Sequence, residues 1–144
     1  MCCPYFYPLE RTHEIAWPFP HRLPLGGGFR GSCRASKDEF SPDDATLRDC
    51  CNLGHAGACQ RLPYSRMADS VRLAVAQDTG DRILILYVYD LKHAPVAHGQ
   101  LEYDCVSGRW ISSVDDPCVQ RQAECYLRLY LDQRPRGVQA ASTL

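Results

Sequence analysis

The chain contains no run of about 18 consecutive apolar residues, so a membrane-spanning helix is not expected. The opening MCCPYFYPLERTHE lacks the basic segment and following apolar run of an export signal, and a reducing, cytoplasmic setting is the expectation. A surplus of either charge is missing too, with 16 Lys and Arg against 17 Asp and Glu, a net charge of -1 and a pI near 6.5. Without a basic envelope, no nucleic-acid partner and no anionic membrane surface are expected. Lysine is scarce, only Lys37 and Lys92 being present. Gly26-Gly27-Gly28 has neither the lysine and hydroxyl of a phosphate-binding P-loop nor the spacing of a dinucleotide fingerprint, which excludes the commonest nucleotide sites. Nor does any Cys-x2-Cys knuckle occur, so the usual signature of a zinc ribbon is lacking.

Cysteine itself is abundant, with nine in 144 residues. An odd number cannot pair completely, and in a reducing compartment thiols at this density bind metal, react, or fill a core. Their distribution is uneven: Cys2, Cys3, Cys33, Cys50, Cys51 and Cys59 fall in the first part, Cys105, Cys118 and Cys125 in the second.

A chain of this length is expected to form a single domain over residues 1–144. Residues 1–62 show no sustained periodicity of 3.6 or 2, and they hold Pro4, Pro8, Pro18, Pro20, Pro24 and Pro42 with Gly26, Gly27, Gly28, Gly31, Gly54 and Gly57. Tyr5, Phe6, Tyr7, Trp17 and Phe19 argue against disorder there. The expectation is a long irregular segment that needs a staple, and four thiols on one metal centre would provide it. The acidic run Asp38, Glu39, Asp43, Asp44 and Asp49 has no calcium-loop spacing and reads as a solvated connection.

Residues 70–134 are regular. Val71, Leu73 and Val75 alternate with smaller or polar positions, and the Asp78-Thr79-Gly80-Asp81 turn leads into the apolar run of residues 83–89. This predicts a β-hairpin, a helix over residues 67–77 being the competing reading. Alternation over residues 98–105 and the Ser107-Gly108 turn before residues 109–112 add a third and a fourth strand. Asp116-Pro117 supplies a cap and first helical position, while Pro135 and Gly137 end the helix, whose stripe of Val119, Ala123, Tyr126, Leu127 and Tyr130 can cover the sheet. The fold class expected is α+β: an antiparallel meander of three to four strands packed by a C-terminal helix, with the cysteine-rich segment in front.

Four thiolates suit structural zinc or a [4Fe-4S] cluster, and both accept ligands from distant loops. Cys3, Cys33, Cys51 and Cys59 form the candidate ligand set, with Cys2 and Cys50 as adjacent substitutes. Cys3-Pro4 resembles the cysteine-proline end of bacterial cluster motifs, which tilts the reading to iron and sulfur over zinc. The function expected is an iron-sulfur protein with a structural or electron-transfer role and a redox or protein partner. A zinc-stabilised interaction domain and a thiol enzyme are the alternatives. Four protein ligands leave no open iron for substrate chemistry.

His55 shares a four-residue spacing with Cys51 and Cys59 and is an additional candidate ligand or hydrogen-bond donor. Cys118, at the start of the predicted helix, is the candidate reactive thiol of the enzyme reading, since the helix N-terminus lowers a thiol pKa. It lies about 10 Å along the axis from Cys125, too far for a mutual disulfide. Cys105 reads as a buried hydrophobe, and His93, His98, Glu102 and Asp104 as an ordinary polar rim.

Overall fold

The computed structural model describes residues 1–53 and 59–134. Its elements in chain order are β1 (Phe6–Arg11), β2 (Phe29–Cys33), a single α-turn α1 (Asp44–Thr46) continued by a π-helical turn (Leu47–Cys51), β3 (Ser70–Asp78), β4 (Arg82–Leu91), β5 (Ala94–Asp104), β6 (Arg109–Ser112) and α2 (Pro117–Gln133). The fold is α+β. β3 to β6 form an antiparallel meander in the order β3-β4-β5-β6, and β1 and β2 form a second, two-stranded sheet.

The meander follows the alternation in its sequence. Ile83, Ile85 and Leu101 are buried on one face, where Ala123 and Leu127 of α2 cover them. Asp116 caps α2 with its carboxylate accepting from the Cys118 and Val119 amides, so the helix starts at the Asp-Pro signal. The helical alternative over residues 67–77 is not what forms: β3 begins at Ser70 and pairs along β4.

One boundary differs from expectation for an identifiable reason. The third strand begins at Ala94 instead of near His98, because Lys92 and His93 take the left-handed conformation, with φ of 51° and 67°, and turn the chain in two residues. Pro95, unable to donate to a ladder, is accommodated by a register shift between Tyr89 and Asp90 on β4. Of the two histidines, His93 is in the turn and His98 pairs with Val88 inside the sheet.

The N-terminal part is more regular than its composition implies. β1 and β2 pair from Phe6↔Cys33 to Arg11↔Phe29, with a register shift between Pro8 and Glu10 that interrupts the alternation in sequence. Gly31 permits the strands to approach, since a Cβ there would stand 2.2 Å from the Tyr7 carbonyl oxygen. The N-terminus also joins the sheets: Cys2 and Val71 exchange two backbone hydrogen bonds of 2.8 Å. One core cluster accordingly runs from Cys2, Cys3, Phe6 and Phe29 through Leu47 and Cys51 to Val71, Val119 and Leu129.

The acidic run is used locally. Asp43 accepts from the Thr46 amide, Asp44 pairs with Arg30 at 2.8 Å, and Glu39 meets Ser32 and Arg34.

At the far end of the sheet, Arg134 closes α2 onto β3 by a bidentate pair with Asp78, whose carboxylate also accepts from Tyr130 at 2.7 Å. Their side chains are 3% and 9% exposed. Burial alone would raise the Asp78 carboxyl, yet the bonds from Arg134 and Tyr130 outweigh it and hold it below its ordinary 3.8. A carboxyl lowered on folding contributes stability above its unfolded pKa and loses it as pH falls through the folded value. Urea midpoints should thus decline below about pH 4, and this part of the decline should be missing in Asp78→Asn, which is itself less stable at pH 7 by about 3 kcal/mol.

Candidate metal centre

Four separate segments bring thiols to one place. Cys3 sits in the turn ahead of β1, Cys33 ends β2, Cys51 ends the π-helical turn, and Cys59 follows later in the chain. All four line one small cavity of about 20 Å³, together with Cys50, Tyr5, Phe6, Leu62 and Arg61. The candidate ligand set is thus gathered as a set, from positions separated by up to 56 residues in sequence.

Backbone bonds set this arrangement. The Cys3 amide donates to the Cys51 carbonyl at 3.1 Å and the Phe6 amide to the Cys3 carbonyl at 3.1 Å, which fixes the first thiol against the third. The Arg34 amide donates to Tyr5 at 2.8 Å and the Cys33 amide to Phe40 at 2.7 Å, which pins the end of β2.

Two buried amide side chains, which the sequence reading missed, do the rest. Asn52, 1% exposed, accepts from the Phe29 amide at 3.0 Å and donates to the Phe29 and Leu47 carbonyls at 3.0 and 2.8 Å. It clips the turn carrying Cys50 and Cys51 to the strand carrying Cys33. Gln122, 0% exposed, donates from Nε2 to the Cys3 and Phe6 carbonyls at 2.8 and 2.7 Å, fastening the Cys3 turn to α2. Nothing in their spacing marks either residue, because each acts on a backbone group far away in sequence.

The thiols share an electrostatic field. Cys3 lies within range of Cys33 and Cys59, and Cys51 within range of Cys3, Cys33 and Cys59. Burial first, and neighbouring thiols after it, push the Cys3 thiol up to about 12 and that of Cys51 higher. These groups are protonated at neutral pH, and binding a cation must release their protons, which makes uptake stronger as pH rises.

The substitutes separate clearly. Cys2 is buried but turns away, its Sγ donating to the Cys51 carbonyl at 3.2 Å, and it does not line the cavity. Cys50 does line it, and is half-buried beside Cys59. His55 lies outside the described residues.

Among the described residues, no three His, Cys, Asp or Glu side chains converge closely enough to hold a metal ion as they stand. The donor chemistry nevertheless fits one: the described lining offers sulfur as its only ligating side-chain type apart from the Tyr5 and Thr46 hydroxyls, in an apolar wall. Arg61, stacked 3.9 Å from the Phe40 ring, places a cation where several thiolates would gather negative charge.

Cys118 is buried at the N-terminus of α2, beside a separate cavity of about 310 Å³ lined by Tyr5, Arg34, Tyr89 and Asp116. Its thiol is pushed up to about 11, by burial and then by the Asp116 carboxylate, against a weaker opposing pull from Arg34. Desolvation here exceeds the helix-terminus effect, so the lowered pKa expected of a reactive thiol is reversed. Cys105 is half-buried beyond the end of β5, its Sγ facing Arg134 at 3.9 Å, and is less enclosed than its place in the alternation implies. Cys125 is buried in the first core cluster, and all nine cysteines are free.

Among the described residues, no helix is long and apolar enough to cross a membrane. Comparison with protein-family profiles, curated sequences and solved structures returns no match.

Proposed function

We propose that the protein binds an iron-sulfur cluster, [4Fe-4S] in type, through Cys3, Cys33, Cys51 and Cys59, and serves as a structural-cluster or electron-transfer module. The observation that carries this reading is the shared cavity: four thiols from four chain segments line one apolar pocket. Thiolates are the protein ligands such clusters use, and when bound the cluster supplies a one-electron redox couple. The chain's own residues would hold it, exclude water with Tyr5, Phe6 and Leu62, and offset its negative charge with Arg61. All four ligand positions being protein thiols, the module suits electron exchange with a protein partner or stiffening of the N-terminal part better than substrate turnover. A reducing compartment such as the cytoplasm would keep the thiols available.

A specific observation favours zinc as the second reading. The cavity of about 20 Å³ has room for about one water-sized body, so a single ion would need less spreading of the thiols than a cluster.

Anaerobic purification of the full chain followed by iron, acid-labile sulfide and zinc quantification decides between them. The cluster reading expects a brown protein with iron and sulfide in comparable amounts. Stoichiometric zinc in colourless protein would replace it with the zinc-stabilised interaction domain, and absence of both metals would reject a metal centre altogether.

A further inference from the structure

The cavity carries one thiol more than a four-ligand centre uses. Cys3, Cys33 and Cys51 are buried, whereas Cys50 and Cys59 are both half-buried and so stand at the solvent side of the group. Cys50 and Cys59 line the same small cavity, and Cys59 is the one cysteine among the main electrostatic neighbours of Cys50, the others being Asp49 and Asp43. Cys51 instead faces Cys2, Cys3, Cys33 and Cys59. Adjacent positions on a helical turn point about 100° apart, so as Cys51 turns into the core Cys50 is left at the rim. A spare thiol is therefore paired with the most accessible member of the ligand set.

We infer that Cys50 and Cys59 form a reversible disulfide under peroxide, an oxidation that withdraws Cys59 from the metal and opens the centre. The inference rests on the reading of Cys59 as a ligand. In the first step Cys50, whose thiol burial and then Cys59 and Asp49 push up, reacts through its minor thiolate form: the sulfur attacks hydrogen peroxide, the O–O bond breaks, Cys50 becomes a sulfenic acid, and the departing hydroxide takes up the thiol's proton and leaves as water. In the second, the Cys59 thiolate attacks the sulfenic sulfur, forming the S–S bond and expelling hydroxide that takes up a proton as a second water, and Cys59 would then no longer be available to hold a metal. Two electrons pass from the two sulfurs to one peroxide, and Cys3, Cys33 and Cys51 would be the thiols left to hold a metal. Reduction by a dithiol restores both groups. The same pair reports in the metal-free protein, where Cys59 begins as a thiol and gives its proton to the departing hydroxide.

The test adds stoichiometric hydrogen peroxide to the anaerobically purified full chain, blocks remaining thiols by alkylation, maps linked peptides by mass spectrometry and measures released metal. The wild type should yield a Cys50–Cys59 peptide pair and lose metal in step with it, with dithiothreitol reversing the link. Cys50→Ser should lose the linked peptide and retain its metal, and Cys105→Ser should behave as the wild type. A bond mapped elsewhere, or metal lost from Cys50→Ser at the wild-type rate, would overturn the switch. Protein purified without iron or zinc would sink the metal reading alone, and mapping in that sample would still uphold or overturn the thiol pair.

Discussion

Cys51→Ser, purified anaerobically beside the wild type, is expected to lose nearly all bound iron and sulfide and the broad absorption near about 400 nm. Cys51 is in range of Cys3, Cys33 and Cys59, and it is 5% exposed. A serine hydroxyl at this place is a harder and shorter donor that resists deprotonation, and it leaves the other three thiols without their common neighbour. Cys3→Ser, Cys33→Ser and Cys59→Ser should fail similarly. Two controls separate ligand loss from general damage. Cys2→Ser buries a hydroxyl in the core and should be less stable by about 1–2 kcal/mol while keeping its metal, because Cys2 does not line the cavity. Cys105→Ser, beside Arg134 at the far end of the sheet and away from the cavity, should keep both. Full metal content in all four single variants of the quartet would dismiss the ligand assignment, whatever the wild type binds.

Asn52→Leu should destabilise the fold by about 3–4 kcal/mol in urea denaturation and loosen the turn that presents Cys50 and Cys51. The substitution conserves size but removes one acceptor and two donated bonds, leaving the Phe29 amide and the Phe29 and Leu47 carbonyls to lose their side-chain partner in a buried setting. Asn52→Asp gives the sharper test. Its carboxylate can still accept from the Phe29 amide, but an oxygen replaces the Nδ2 that faces two carbonyls. Burial and these carbonyls favour the protonated acid in the folded state, so its folded pKa lies above the unfolded value. The variant's deficit is full at pH 7 and shrinks as pH falls through that raised pKa, whereas Asn52→Leu has no such dependence. Absence of a deficit in both variants at every pH would show that shape, which both conserve, holds the turn without the donated bonds. In Asn52→Leu protein that remains folded, metal content should fall with the looser presentation of Cys51.

The second half of the chain was largely legible before folding was considered. Alternation in residues 70–78 and 83–89, the Ser107-Gly108 turn and the Asp116-Pro117 start are local signals, and the strands and helix follow them because each element buries one face. The first half was less legible. β1 and β2 are short, carry Pro8 and Gly31, and are interrupted by a register shift, so their pairing leaves little two-residue pattern to read. The reactive-thiol expectation for Cys118 failed for a related reason: a helix terminus can be read from sequence, whereas burial by the tertiary fold and the Asp116 carboxylate beside the thiol cannot.

By itself the sequence determined the α+β class, the meander and its covering helix, and a set of thiols too numerous for packing alone. Only the tertiary structure decided which thiols belong together. Cys3, Cys33, Cys50, Cys51 and Cys59 line one cavity because strand pairing, the Asn52 clip and the Gln122 anchor draw distant backbone groups together. It also decided between neighbours, turning Cys2 away and leaving Cys50 at the rim beside Cys59. Adjacent residues are equivalent in a spacing argument, and they differ once backbone direction sends one side chain into the core and the other toward water.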